Sequence, residues 1–148
     1  MRKNWSDTFT NTSRCRRRWG AQVQDAGTDR VTLVAPLAPN INHRETVFGG
    51  SASALALLAA WALLYLRLRD EGFDARVVVQ RNTMEYLRPI GGDFSATAAA
   101  PVQWPRFVAT LRRKRRARIG VTVDLRCRKE IVGSLAGDFV AQLTEKRR

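Results

Sequence analysis

Histidine occurs once, at His43, and cysteine twice, at Cys15 and Cys127. Two distant cysteines and one histidine exclude a disulfide framework, a metal knuckle and a zinc cluster. Acidic residues are also scarce: 13 Asp and Glu stand against 26 Lys and Arg, for a formal net charge of +13. Such an excess calls for an acidic partner, whether nucleic acid, a phosphorylated cofactor, an acidic carrier protein or an anionic surface. The polar start, Met1-Arg-Lys-Asn-Trp-Ser-Asp-Thr, lacks the apolar core of a signal peptide, and a reducing cytoplasm is the expected location. Internal repeats and low-complexity linkers are missing, so 148 residues suit one domain.

What is present is one long apolar run. Thr46-Val-Phe-Gly-Gly-Ser-Ala-Ser leads into Ala54-Leu-Ala-Leu-Leu-Ala-Ala-Trp-Ala-Leu-Leu-Tyr-Leu66, and Gly72 follows the charged patch Arg67 to Glu71. This predicts a helix with Ser51 or Thr46 as the N-terminal cap and Gly72 as a left-handed C-terminal stop. Apolar residues fall on every face, so the helix is either buried on all sides or spans a membrane. The small and polar residues Gly49, Gly50, Ser51 and Ser53 at its start, and the amphipathic strands elsewhere, favour a core helix clasped by a sheet.

Residues 1–15 are expected to form a loose arm or short helix, residues 16–145 the domain, and residues 146–148 a basic tail. Strands are expected at Trp19–Val23, with a turn at Asp25–Thr28, and at Arg30–Pro36. Further strands are expected at Ala75–Leu87, Phe94–Ala100, about Ile119–Cys127 and Ile131–Leu143. Gly133 and Gly137 predict bulges or bends in the last strand. Pro105 suits the first turn of a short helix whose apolar side is Phe107, Val108 and Leu111. The order implies an α+β domain, a curved antiparallel sheet wrapped around one long apolar central helix.

Pro36-Leu-Ala-Pro-Asn-Ile-Asn-His-Arg-Glu-Thr-Val-Phe-Gly-Gly-Ser, together with Tyr86-Leu-Arg-Pro-Ile-Gly-Gly-Asp-Phe, resembles the thioesterase-like domain at the C-terminus of YiiD-type proteins, over about residues 16–145. The resemblance implies a single hot-dog domain, a homodimer or dimer of dimers whose sheets join edge to edge, and sites at the subunit interface. The implied substrate is an acyl chain in thioester linkage to coenzyme A or acyl carrier protein. Coenzyme A or phosphopantetheine enters as part of that substrate, with no other cofactor and no metal. Better-studied relatives carry Asn or Asp followed by His-Gly-Gly at the helix start. Here Asn42 takes the first position and Phe48-Gly49-Gly50 the others; Phe48 replaces the histidine, and Glu45 stands where glycine is usual. Ser51 to Arg69 also lacks the helix carboxylate common in those relatives.

Thioester hydrolysis needs donors for a carbonyl oxygen gaining charge and an activated water. The N–H groups of Gly49, Gly50 and Ser51 at a helix N-terminus are oxyanion donors, or the glycines serve only close packing. Asn42 either orients water or polarises the carbonyl, or else closes an Asx-turn; Asn40 is a candidate substrate contact or shapes the loop. His43 and Glu45 are the nearest general bases, with solvated loop positions as the alternative. Thr46, Phe48, Trp61, Glu85 and Arg88 are candidate substrate contacts; Trp61 reads also as core, and Glu85 also as a solvent-facing acid. Within Arg112–Arg118, the side chains of Arg113, Arg115, Arg116 and Arg118 suit phosphates or an acidic carrier, or form a solvated face. Hydrolysis of an acyl-coenzyme A or carrier thioester is the first functional expectation. A non-catalytic acyl-thioester binding module is the alternative, and a basic nucleic-acid binder stands third.

Overall fold

The structure, a computed structural model, describes residues 18–145. The expected N-terminal arm, with Cys15, and the basic tail lie outside the described residues. Six strands, β1 (Gln22–Ala26), β2 (Arg30–Ala35), β3 (Ala75–Tyr86), β4 (Phe94–Ala99), β5 (Arg116–Cys127) and β6 (Glu130–Leu143), form one antiparallel sheet in the order β1-β2-β4-β5-β6-β3. A 3-10 turn at Ala38–Asn40 precedes helix α1 (Gly49–Asp70), and α2 (Trp104–Lys114) crosses from β4 to β5.

Helix α1 lies in the curve of the sheet and touches β2, β3, β4, β5 and β6. Ala52, Ala56, Ala59 and Ala60 let it sit close to the strands, while Leu55, Leu63, Leu64 and Leu66 fill the space between them, all fully buried. Each such leucine contributes roughly 1.5–3 kcal/mol of burial. By length and composition α1 also passes for a membrane span, yet 56% of that window is buried inside the domain. Its remaining stripe, Ala54, Leu57, Leu58, Trp61 and Tyr65, is half-buried at helical spacing, with Trp61 Nε1 donating to the Val77 carbonyl at 3.1 Å. Strand β5 alternates strictly, its odd positions buried against α1 and its even positions outward.

The helix ends as its sequence predicts. Gly72 has φ +83°, its N–H reaches the Arg69 carbonyl at 3.0 Å, and the Phe73 N–H reaches the Leu68 carbonyl at 2.8 Å. That pair of bonds is a Schellman closure. The start differs from expectation. Phe48 is the N-cap and makes no side-chain bond to the helix; the Thr46 hydroxyl is held by Asn42 instead, and Ser51 already lies inside the first turn. With glycine at both leading positions, the chain enters without a hydroxyl cap.

The first strand is also shifted. Asp25 lies within β1, opposite Thr32, and the turn begins at Gly27, whose N–H bonds to the Arg30 carbonyl at 3.0 Å. The exposed Asp25 carboxylate reaches Arg30 across the hairpin (3.4 Å). At the C-terminus of α1, Trp104 Nε1 donates to Glu71 Oε1 at 2.6 Å, and Arg67 stacks over the Trp104 ring at 4.5 Å. These contacts fasten α2 across the end of α1, with Phe107 and Leu111 buried beneath.

The β5–β6 hairpin turns on Arg128 and Lys129, at φ +52° and +69°. Two successive left-handed residues are the geometry that Asn-Gly adopts without strain. The double substitution Arg128→Asn/Lys129→Gly is therefore expected to stabilise the fold by about 1 kcal/mol, raising Tm by roughly 3 °C. A thermal melt followed by circular dichroism measures it.

Candidate active site at the amino end of helix α1

The loop from Pro36 to Phe48 is tied internally before it delivers α1. Asn40, 3% exposed, donates through Nδ2 to the carbonyls of Trp19 (2.9 Å) and Pro36 (2.8 Å), and its backbone carbonyl accepts the Phe48 N–H at 2.8 Å. Asn42 closes the turn that follows: Oδ1 accepts from the N–H groups of Arg44 (2.8 Å) and Thr46 (3.1 Å), and Nδ2 donates to Thr46 Oγ1 (2.9 Å). Its amide is thus engaged at both ends in an Asx-type turn. Glu45, where the resemblance has glycine, holds φ +62°, the conformation that makes glycine usual there. The Val47 N–H then bonds to the Ile90 carbonyl at 2.8 Å and anchors the loop to the connection after β3.

What this delivers is an open helix N-terminus. The N–H groups of Ser51 and Ala52 both turn back to the Phe48 carbonyl (3.0 and 3.2 Å), while those of Gly49 and Gly50 have no acceptor among the described residues. They carry the positive end of a 22-residue helix dipole. Beside them lies a cleft of about 500 Å³ lined by Thr46, Gly49, Gly50, Tyr86, Arg88 and Ile90 among others. Tyr86 donates its hydroxyl to the Gly49 carbonyl at 2.8 Å, and a Cβ at Gly49 would lie 3.2 Å from that oxygen. Phe48, 60% exposed, covers Gly50 with its ring.

The other candidates separate. His43 and Glu45 are exposed on the loop and do not line the cleft. Glu85 is exposed between Met84 and Tyr86, whose side chains take the α1 side, so in its own chain it points to the opposite face. Arg88 lines the cleft and pairs with Glu130 at 2.8 Å. Trp61 packs on Tyr65, ring centroids 5.1 Å apart, farther along α1. Arg113, Arg115, Arg116 and Arg118 are exposed at the far end of the sheet. Arg116 shares a register row with Gln142, whereas the Tyr86 row runs through Gly133 to Leu125, nine strand positions or about 30 Å away. Tyr86 also lines the cleft, and nothing in its spacing announces its bond to the helix start.

A single antiparallel sheet curved round one long helix, with bare glycine N–H groups at that helix's start, defines a hot-dog domain. The chain belongs to the family described as "Putative thioesterase (yiiD_Cterm)", whose model matches residues 8–143. Among solved structures it is similar to a protein of unknown function from Chlorobaculum tepidum, at 25% identity over 94% of this chain and 92% of that one, with a TM-score of 0.88. It is similar also to a "putative thioesterase" from Shewanella oneidensis, at 23% identity over 94% of each chain and a TM-score of 0.83. A thioesterase from Haemophilus influenzae matches at 19% identity over 98% of this chain and 93% of its own, with a TM-score of 0.74. The last two likenesses speak to the fold.

Proposed function

We propose that the protein hydrolyses an acyl thioester of coenzyme A or of acyl carrier protein in the cleft at the start of α1. The observation that carries this reading is the pair of N–H groups at Gly49 and Gly50, which have no acceptor among the described residues and border that cleft. A thioester carbonyl seated there directs its oxygen at both donors. Water adds to the carbonyl carbon, the oxygen takes up the charge, the C–S bond breaks, and the thiol and the carboxylic acid leave. The reading needs no cofactor or metal beyond the coenzyme A or phosphopantetheine carried by the substrate, and it fits a cytoplasmic protein.

A second copy of the chain completes the site in this proposal. Strand β3 forms one edge of the sheet and exposes Val78, Val79 and Tyr86 along its twelve residues, with exposed Leu87 just beyond. An open, apolar edge of that length favours pairing with another strand. Among the described residues the cleft of one chain is lined by no carboxylate and no imidazole. A copy joined along β3 brings a second set of side chains beside Tyr86. The same lack of a base favours a second reading, an acyl-thioester binding module without turnover.

Thiol release from a panel of acyl-coenzyme A and acyl-carrier thioesters, with sedimentation of the same sample, tests both. Enzyme-dependent thiol release by a dimer or a dimer of dimers is the expected result. Tight thioester binding without thiol release establishes the binding module instead.

A further inference from the structure

A second cleft lies on the other side of the sheet, away from α1 and its glycines. It runs between the outer face of β3, β5 and β6 and the amino half of α2, in two lobes of about 530 and 380 Å³ that share Gln103, Gly120 and Asp138. Arg81 borders the larger lobe, Arg106 and Arg118 the smaller. We infer that this cleft binds a nucleoside phosphate, its phosphates held by Arg106 and Arg118 and its hydroxyl or amino donors by Asp138.

Three observations carry this. The charged groups lining the cleft are not used by the fold. Arg81 and Asp138 are register partners on neighbouring strands yet form no ion pair, and neither they nor Arg106 make any side-chain hydrogen bond among the described residues. Arg118 has only a long contact to Gln80 Oε1, at 3.4 Å. Opposite charges facing each other across a sheet ordinarily pair. Second, the floor is bare without a backbone reason. Gly120 stands in the strictly alternating strand β5 without a left-handed φ, and a Cβ there would meet nothing closer than Asp138 Oδ1, at 3.6 Å. Glycine in a strand interior weakens it, and here the missing side chain keeps the cleft open. Third, one wall is apolar and uncovered. Ala99, Ala100, Pro101 and Val102 form it, and Val102 is 95% exposed.

A flat base against that wall, a sugar at the acceptor Asp138 and an anion between two guanidinium groups match the chemistry of a nucleoside phosphate. Exposed Arg113, Lys114, Arg115 and Arg116 at the end of α2 and the start of β5 add positive field nearby. Free nucleotides and the nucleotide end of coenzyme A share this chemistry, so the test uses both.

Isothermal titration with ADP, pyrophosphate, adenosine and coenzyme A, on wild-type protein and on variants checked for folding by circular dichroism, decides it. ADP is expected to bind and adenosine not to. Arg106→Ala/Arg118→Ala is expected to weaken ADP by on the order of tenfold or more. Gly120→Val, a residue suited to a strand, closes the floor with the same effect. Asp138→Asn is expected to weaken ADP relative to pyrophosphate, which the loss of a neighbouring negative charge leaves as tight or tighter. Coenzyme A losing affinity in these variants alongside ADP means that the cleft takes the nucleotide end of a larger ligand; coenzyme A unaffected by them means that it takes free nucleotides. The inference is overturned if wild type does not bind ADP or if the cleft variants bind it as wild type does. It is overturned too if the control Arg44→Ala/Arg126→Ala weakens ADP equally, which marks diffuse charge, or if Gly50→Ala abolishes ADP binding while Gly120→Val spares it. None of these outcomes depends on thioester turnover, so the inference and the proposed hydrolysis fail separately.

Discussion

Gly50→Ala is expected to lower kcat/KM for acyl thioesters by roughly 10²–10³-fold with little change in Tm. A Cβ at Gly50 would lie 2.5 Å from Phe48 Cε1, closer than atoms tolerate, and 3.1 Å from Cζ. The obstructing atoms belong to the end of an exposed ring rather than to backbone. The ring can swing aside, and the fold survives. Where it swings matters, because Phe48 flanks the two N–H groups that have no acceptor, and the new methyl group stands beside them. A carbonyl then no longer approaches both donors, and loss of one such donor costs about 3–4 kcal/mol in a water-poor site. Initial rates of thiol release measure the effect. The double variant Phe48→Ala/Gly50→Ala separates its two sources: recovered activity assigns the loss to the displaced ring, and persistent loss assigns it to the methyl group. An unchanged kcat/KM in Gly50→Ala removes these N–H groups from the chemistry.

The parts of the fold that local sequence determines were legible in it. Strand β5 writes its two faces in alternate residues, and α1 announces its end through Gly72, because a left-handed stop has a residue preference of its own. The family motif likewise led to the loop and glycines that border the cleft. Features that depend on distant partners were not legible. Asn40 looks like any loop asparagine, yet it is buried because Trp19, 21 residues earlier, offers it a carbonyl. Tyr86 looks like a strand aromatic until the fold brings the Gly49 carbonyl to its hydroxyl, 37 residues away. The break between Cys127 and Ile131 was legible from the strand patterns, but Arg128 and Lys129 are not residues that signal a left-handed two-residue turn, so only the pairing of Cys127 with Glu130 reveals its geometry. The outer cleft is harder still, since Arg81, Arg106, Gly120 and Asp138 come from four different elements and meet only once α2 packs beside the sheet.

Gly133→Ala is expected to destabilise the protein by roughly 3 kcal/mol, lowering Tm by about 10 °C. The sequence suggests a bulge or bend at this glycine, and the register of β6 against β5 does slip beside it, between Leu125 and Arg126. The requirement at Gly133 itself is different. It pairs with Tyr86, and a Cβ would lie 2.7 Å from the Glu85 carbonyl oxygen and 3.3 Å from Met84 Cε. A backbone oxygen in a paired strand cannot rotate away as a ring can. Relief requires β3 to part from β6 at the end where Tyr86 reaches Gly49, so the added methyl group strains the sheet and loosens the helix start together. Gly120→Ala serves as the comparison, with the same added group and nothing nearer than 3.6 Å, and is expected to change stability by less than about 1 kcal/mol. Urea denaturation of the two variants measures the contrast, and equal stabilities would mean that β3 and β6 yield at this point without cost. In Gly133→Ala protein that remains folded, thiol release is expected to fall as well, because the strand that retreats carries the hydroxyl holding the first helical carbonyl in place.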